Sequence, residues 1–465
     1  MSLDLPNPVL GAAMARGDAP ALVTTEGTLT WREVAVAAQA RATVLAGPPW
    51  HVRPGDVVAL EGSPGGDWVV TFHALGLLGA AVSPLPFGVP GSARAAAIEA
   101  VSPRVVVRVP LDRTPEVVHA SVNWTERFWP LDEVRVVICT SGTTGAPRAV
   151  PLTTAQIAFG VFGSTLRLGH LPDDRWLACL PLHAIGGLSI LLRAAFAATT
   201  VELHAAFDAA AVGGALVEGR ITHVSLVPSM LAAVLDALER AGARVAPRLR
   251  CVLLGGAPTP PALVERARAA GLPLALTWGM SETGSQIATW SPGAYDTAGV
   301  GAPLAFARVE ADADGRLQVR GPVAPGGALA TGDLGTISGI FDGGEAGQGG
   351  AVTVTGRVDD LVNSGGAKIA PAEVEAVLAA HPGVAEVAVV AVPDSRYGQR
   401  PAAFLVLHDG AESPDDAALR AHCHTRMARH KCPDFFFFLQ PDDMPRGPTG
   451  KVDRRALLSR AATGL

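Results

Sequence analysis

Charge is scarce in this chain, cysteine and tyrosine are few, and long apolar runs are missing; each shortage removes a class of protein. Charged residues make up 17% of 465 and hydrophobic residues 49%, the reverse of the polar, charge-rich composition of disordered segments. Five cysteines (Cys139, Cys179, Cys251, Cys423 and Cys432) are few and odd in number, which argues against a disulfide framework and fits reduced thiols. No CxxC pair accompanies the run HCHTRMARHKC (422–432). It therefore reads as a helix over 415–428 carrying Leu419, Cys423 and Met427, not as a metal cluster. The 37 basic residues are scattered among 43 acidic ones, a formal net charge of −6, and form no basic stripe, so nucleic acid is not an expected partner. The run 69–82 is too short for a membrane span and contains His73. The run 185–201 carries Arg193 at its centre, whereas a span needs about 20 largely apolar residues. The first 20 residues hold no basic region followed by an apolar run; the expected compartment is the cytoplasm.

What is present is a long alternation. A helical pattern over 29–45 is followed by a short apolar run at 56–62. WVVTFHALGLLGA then reads as a helix, AAVSPLP as a strand, SARAAAIEAV as a helix and RVVVRV as a strand. Helices alternating with short β-branched runs predict parallel α/β layers. A second series runs over 153–276, with THVSLVPSM and RCVLLGG as its clearest strands. After residue 301 the pattern changes to short strands punctuated by glycine, a small β subdomain, with an exposed hairpin loop at FDGGEAGQGG (341–350). Beyond GRVDD (356–360) the order helix (371–378), strand (385–392), strand (402–407), helix describes a separate α+β unit. The expected fold is thus α/β: a large N-terminal domain (1–357) of two α/β lobes plus a small β subdomain, then a small C-terminal domain (358–465).

The first chemical signal is TSGTTGAPRAV (140–150), a loop leaving the strand-like run VRVVIC. Thr140, Ser141, Thr143 and Thr144 offer hydroxyls, Gly142 and Gly145 admit close backbone approach, and Arg148 adds a permanent cation; together these suit a polyphosphate. The GxxxxGK[ST] spacing of a Walker loop is absent.

The segment resembles the phosphate-binding signature of the AMP-forming adenylate superfamily, [T/S]SG[S/T]TGxPKG, with Arg148 and Ala149 in place of lysine and glycine. Further segments resemble the family's other motifs in the family's order. LLGGAPTP (253–260) resembles its adenine-side turn, with Gly255, Gly256 and Ala257. TWGMSETG resembles YGxTE, with Trp278 for tyrosine, then Gly279, Ser281 and Glu282. TGDLG supplies Asp333, GRVDD supplies Arg357, and PRGPTGKVDRRAL (445–457) supplies Lys451. The resemblance implies ATP, Mg²⁺ and coenzyme A as cofactor and cosubstrates and a small carboxylic acid as partner. It implies Glu282 as the Mg²⁺-ATP ligand, Asp333 and Arg357 on the ribose, and Lys451 on the carboxylate and α-phosphate. It also implies a mobile C-terminal domain pivoting at Asp359, and Gly365 and Gly366 beside the pantetheine arm.

Within that family PLHAIGGLSILLR and SETGSQIATW are similar to o-succinylbenzoate:CoA ligases of menaquinone biosynthesis, which places His183, Ile185, Gly187, Ser285 and Gln286 in the acyl pocket. The family's aromatic–His pair is here His183–Ala184. GGxS at Ser189 mimics a carrier-protein attachment site, but no helical bundle surrounds it. The expected function is an AMP-forming acid:CoA ligase. A broader aryl- or acyl-CoA synthetase, an adenylating enzyme that loads a carrier protein, and a nucleotide-binding relative without catalysis stay open, as does a homodimer.

Overall fold

The computed structural model describes residues 3–111, 128–141, 147–294, 299–338, 350–447 and 452–463. The helix expected from residue 29 begins at Trp31 and runs to Ala46, because Thr30 and Glu33 form a reciprocal cap: each accepts from the other's backbone N–H, at 3.3 and 2.8 Å. Leu29 instead belongs to the strand Gly27–Thr30. The first lobe is a five-stranded sheet in the order Val105–Arg108, Val57–Glu61, Ala81–Pro84, Val134–Ser141 and Pro147–Thr153. The first four are parallel and the last is antiparallel to its neighbour.

The second lobe is built on a nine-stranded sheet whose parallel centre holds Leu274–Met280, Cys251–Leu254, His223–Leu226, Arg175–Ala178 and Thr200–Leu203. The amino-terminal hairpin Pro20–Thr24 and Gly27–Thr30 completes it, although it lies far away in the chain. Leu22 pairs with Val201 in the sheet, and the Thr200 hydroxyl donates to the Pro20 carbonyl at 2.8 Å. One contiguous core runs through both lobes, including Leu22, Trp31, Leu75, Val136, Leu188 and Leu191. The helices Gly66–Leu77 and Ile185–Ala197 are apolar on nearly every side because both are sunk in that core.

Arg308–Ala311, Arg316–Arg320, Ala328–Ile337 and Val352–Arg357 form the antiparallel β subdomain. Residues 341–349 of the glycine-rich loop lie outside the described residues; the strands flanking them pair antiparallel, Ile337 opposite Val352. The C-terminal unit has its own five-stranded sheet and its own core around Val362, Val374, Leu378, Leu405 and Leu419. Its helix Asp416–His424 is shorter than the expected 415–428. The Thr425 hydroxyl and the Arg426 guanidinium both donate to the His422 carbonyl and close the helix there, and Met427 reaches the core from the loop beyond. Among the described residues no helix is long and apolar enough to cross a membrane.

Candidate active site

The two ends of the phosphate-friendly segment lie in paired strands. Val134–Ser141 and Pro147–Thr153 run antiparallel, with Thr140 opposite Arg148, and the Thr140 hydroxyl donates to the Arg148 carbonyl at 3.3 Å. Gly142, Thr143, Thr144 and Gly145 lie outside the described residues, as does Lys451. The Arg148 side chain is exposed and lies 3.9 Å from Glu282.

Glu282 sits in the single helical turn Ser281–Thr283, which joins the antiparallel strands Leu274–Met280 and Ser285–Thr289. Gln156 donates to the Glu282 carbonyl at 2.7 Å and ties this turn to the first helix after the phosphate hairpin. The hairpin is tight at Gly279, which faces Gln286 beside a β-bulge: a Cβ there would overlap the Ser285 carbonyl oxygen, so only glycine fits. One residue back, the Trp278 indole N–H donates to Asp333 Oδ2 at 2.8 Å, both groups being buried. Arg357, the cross-strand neighbour of Asp333, places Nη1 3.1 Å from Oδ1. Asp333 thus has one oxygen toward an indole and one toward a guanidinium in a buried position.

The other face of the same hairpin meets the helix Ile185–Ala197. Arg193, at 3% exposure, donates through Nη2 to Gln286 Oε1 at 2.8 Å and Ser285 Oγ at 3.3 Å. Ser164 donates to the same Gln286 oxygen at 2.7 Å, and the Gln286 amide donates to Thr289 Oγ1 at 3.0 Å, so all groups of that amide are fixed. Ser285 holds this place with φ +124°, an unusual conformation for a residue with a side chain. Burial presses the Arg193 guanidinium down to about 10, still fully charged near neutrality, and Nη1 is buried without a hydrogen-bond partner. In the sequence Arg193 breaks the apolar run 185–201 and closes PLHAIGGLSILLR, where the expected pocket residues are its neighbours His183, Ile185 and Gly187. A cation at the centre of an apolar helix was the signal available, since burying it requires a polar or anionic partner.

His183 and Ile185 are half-buried at the start of that helix, and burial lowers the His183 pKa, keeping the imidazole neutral. Gly187 is packed against the Pro181 carbonyl. Gly255, Gly256 and Ala257 form the turn after Cys251–Leu254, with Gly255 against Thr277, next to Trp278. Asp359 is exposed in the turn after Val352–Arg357, where the Val358 N–H donates to the Gly332 carbonyl at 2.9 Å. Gly365 and Gly366 join Val362–Ser364 to Ala367–Ile369 in the C-terminal unit; both have positive φ, Gly365 lies against Tyr397, and a Cβ at Gly366 would meet open space. The structure therefore joins Arg148, Trp278, Gly279, Glu282, Ser285, Gln286, Asp333 and Arg357 around one hairpin and leaves Gly365 and Gly366 apart from it.

The profile of the AMP-binding enzyme family matches residues 11–340, and that of the AMP-binding enzyme C-terminal domain matches 373–451. The chain is 37% identical to a 2-succinylbenzoate–CoA ligase of Geobacillus kaustophilus over 70% of this chain and 69% of that protein. It resembles the o-succinylbenzoate CoA synthetase of Bacillus subtilis solved with the acyl-adenylate intermediate OSB-AMP, at TM-score 0.83 and 31% identity over 98% of each chain. With ATP and magnesium ion bound, the Bacillus subtilis protein gives TM-score 0.84 at 31% identity, over 98% of this chain and 100% of that one. The hairpin site and these likenesses agree, and the chain belongs to the AMP-binding enzyme family.

Proposed function

We propose that the chain is an ATP-dependent 2-succinylbenzoate–CoA ligase. The observation that carries this reading is Arg193: a buried, charged guanidinium whose surroundings are neutral hydroxyl, amide, thiol and aromatic groups, at the acyl end of the site. A succinylbenzoate carries two carboxylates. One is activated, and the other needs a cation in a dry pocket, which Arg193 supplies through a charge-assisted pair. The relatives that share this architecture bear the same name.

In the first half-reaction one carboxylate of the acid attacks the α-phosphorus of ATP and pyrophosphate leaves, forming the mixed anhydride with AMP. In the second, the thiolate of coenzyme A attacks the acyl carbon and AMP leaves. No nucleophilic side chain is needed, since the anhydride is already activated; the protein's work is positioning and charge stabilisation. Asp333 accepts from the ribose hydroxyls and Arg357 donates beside it. Lys451 neutralises charge developing between the acyl carboxylate and the α-phosphate. Magnesium fits the residues present: it takes one or two carboxylates plus phosphate oxygens, and the partly exposed Glu282 carboxylate stands across from Arg148 at the phosphate hairpin. When bound, magnesium neutralises phosphate charge. We assign residues 1–357 to nucleotide and acid binding and 358–465 to a lid pivoting at Asp359, whose Gly365–Gly366 turn leaves room for the pantetheine arm.

A panel of carboxylic acids scored for CoA-dependent AMP release tests the reading. 2-Succinylbenzoate should be the preferred acid, and Arg193→Gln should raise its KM on the order of 100-fold, the cost of leaving a buried carboxylate unpaired. An enzyme that turns over benzoates or fatty acids and ignores 2-succinylbenzoate would overturn it.

A further inference from the structure

Arg193 is not held by its hydrogen bonds alone. Its guanidinium carbon stands 5.0 Å from the centre of the Trp176 ring, within the range where an aromatic face attracts a cation. Trp176 is buried on the strand Arg175–Ala178 and is itself fixed from two directions. Its indole N–H donates to Ser225 Oγ at 3.0 Å, and the His223 imidazole stacks on it at 4.9 Å with 28° between the planes. His170 packs its ring edgewise against both, at 5.4 Å from each.

The charges around this stack are already committed. Asp174 is bound by both oxygens to Arg250 Nη2, each at 2.5 Å, and stands 3.8 Å from His223. Burial drives His223 down to about 4 and His170 to about 3, and the neighbouring cations push the same way, so both rings are neutral in the working range. The buried Cys251 thiol, pushed up to about 12, is neutral as well. Arg193 is therefore the group of the stack that keeps a charge for a ligand, and its Nη1, like Nε2 of His170 and of His223, is buried without a hydrogen-bond partner.

We propose that Trp176, locked by Ser225 and His223, is a positioning residue: its ring face carries the Arg193 guanidinium and aims it at the non-reacting carboxylate of a dicarboxylic substrate. This rests on the reading of Arg193 as the substrate's counter-ion and names the part of the fold that makes the cation selective. An arginine on its long flexible stem gains affinity when its orientation is fixed before the anion arrives, and here the hydrogen bonds fix one edge of the fork while the indole fixes its plane.

The test compares 2-succinylbenzoate with the analogue in which the non-reacting carboxylate is replaced by hydrogen, using the full chain and steady-state AMP release. Trp176→Leu removes the aromatic face. It should raise the KM for the diacid roughly 10- to 30-fold, the size of a desolvated cation–π contact. The kcat and the KM for ATP should change less than about twofold, as should the KM for the hydrogen analogue. Trp176→Phe, which keeps a ring and fills most of the space, should raise the diacid KM only about threefold. The double variant Arg193→Gln/Trp176→Leu should show the same diacid KM as Arg193→Gln alone, because the ring acts only through the guanidinium. Equal rises for both acids, or additive effects in the double variant, would show a merely structural tryptophan and overturn the proposal. If Arg193→Gln itself leaves the diacid KM unchanged, the reading of Arg193 fails first, a result distinguishable from failure of the tryptophan. Should Trp176→Leu not fold, Trp176→Phe with the two acids decides alone: an unchanged diacid-to-analogue KM ratio refutes the positioning role.

Discussion

Asp333, proposed to hold the ribose, sits in an environment that differs from that of a solvent-facing acid. The Trp278 indole occupies one oxygen and Arg357 the other. Hydrogen bonds to charged acceptors contribute about 1.5–3 kcal/mol. Trp278→Phe removes the donor while keeping an aromatic ring, and Arg357 still holds the other oxygen. The expected outcome is a rise of roughly 10-fold in the KM for ATP, measured by pyrophosphate exchange, with the KM for the acid unchanged. A variant with wild-type ATP affinity would mean that this contact does not prepare the ribose site. Glu282, Asp333 and Arg357 were legible from their motifs, yet what surrounds them was not. The partners of the buried amide and guanidinium lie far off in the chain: Arg193 is 93 residues from Gln286, Ser164 is 122 from Gln286, and Gln156 is 126 from Glu282. No local spacing encodes such contacts: Trp176 lies outside the quoted motifs, and Arg193 closes PLHAIGGLSILLR without being marked there as a site residue.

At the level of elements, the alternation of helix and strand was plain in the sequence because buried parallel strands are short apolar runs and the helices between them are apolar on the sides they bury. The hairpin Pro20–Thr30 was not legible as part of the second lobe, since its partner strand lies some 180 residues further on. The end of the helix Asp416–His424 was also missed: apolar spacing continues through Met427, but side-chain bonds to the His422 carbonyl stop the helix first. The hairpin Leu274–Met280 with Ser285–Thr289 carries the site as a unit, because Trp278, Glu282, Ser285 and Gln286 all hang from it. Gly279→Ala places a methyl on the Ser285 carbonyl and must spread the strands, a strain of about 1–3 kcal/mol. It should lower the Tm and raise the KM for Mg-ATP and for the acid together, since both binding ends are displaced. Gly11→Ala, on the helix Pro8–Arg16 with open space around the new methyl, should leave both constants unchanged and slightly raise the Tm. A Gly279→Ala enzyme that keeps both constants would show that the hairpin tolerates repacking.

At the scale of the whole molecule, both lobes contain histidines that burial holds in the neutral form. His73, in the first lobe on the helix Gly66–Leu77, is pressed down to about 4 by burial alone; His170 and His223, in the second lobe, are pressed down to about 3 and about 4. Well above pH 6.5 these rings are neutral in folded and unfolded chains alike and add no pH dependence. Below 6.5 the unfolded chain takes up protons that the folded chain refuses, so stability falls with pH, by about 1.4 kcal/mol per pH unit for each ring, until the folded values near 3–4 are reached. Carboxylates held low by their partners, such as Asp434 beside Arg400 and Glu202 among Arg175, Arg220 and His204, lose their contribution only in more acid solution. Between pH 6.5 and 5.0 the histidines therefore dominate. Denaturant unfolding should give a lower stability at pH 5.0 than at 6.5, and His73→Leu should shrink that difference by about 2 kcal/mol, one ring over 1.5 pH units. The same substitution leaves the Arg193 stack in place, so the pH dependence that persists in His73→Leu belongs to the other histidines with lowered values, His170, His223, His183 and His381. If the pH difference is the same in His73→Leu as in the wild type, His73 is not buried neutral in the folded protein, and the acid sensitivity of the first lobe has another source.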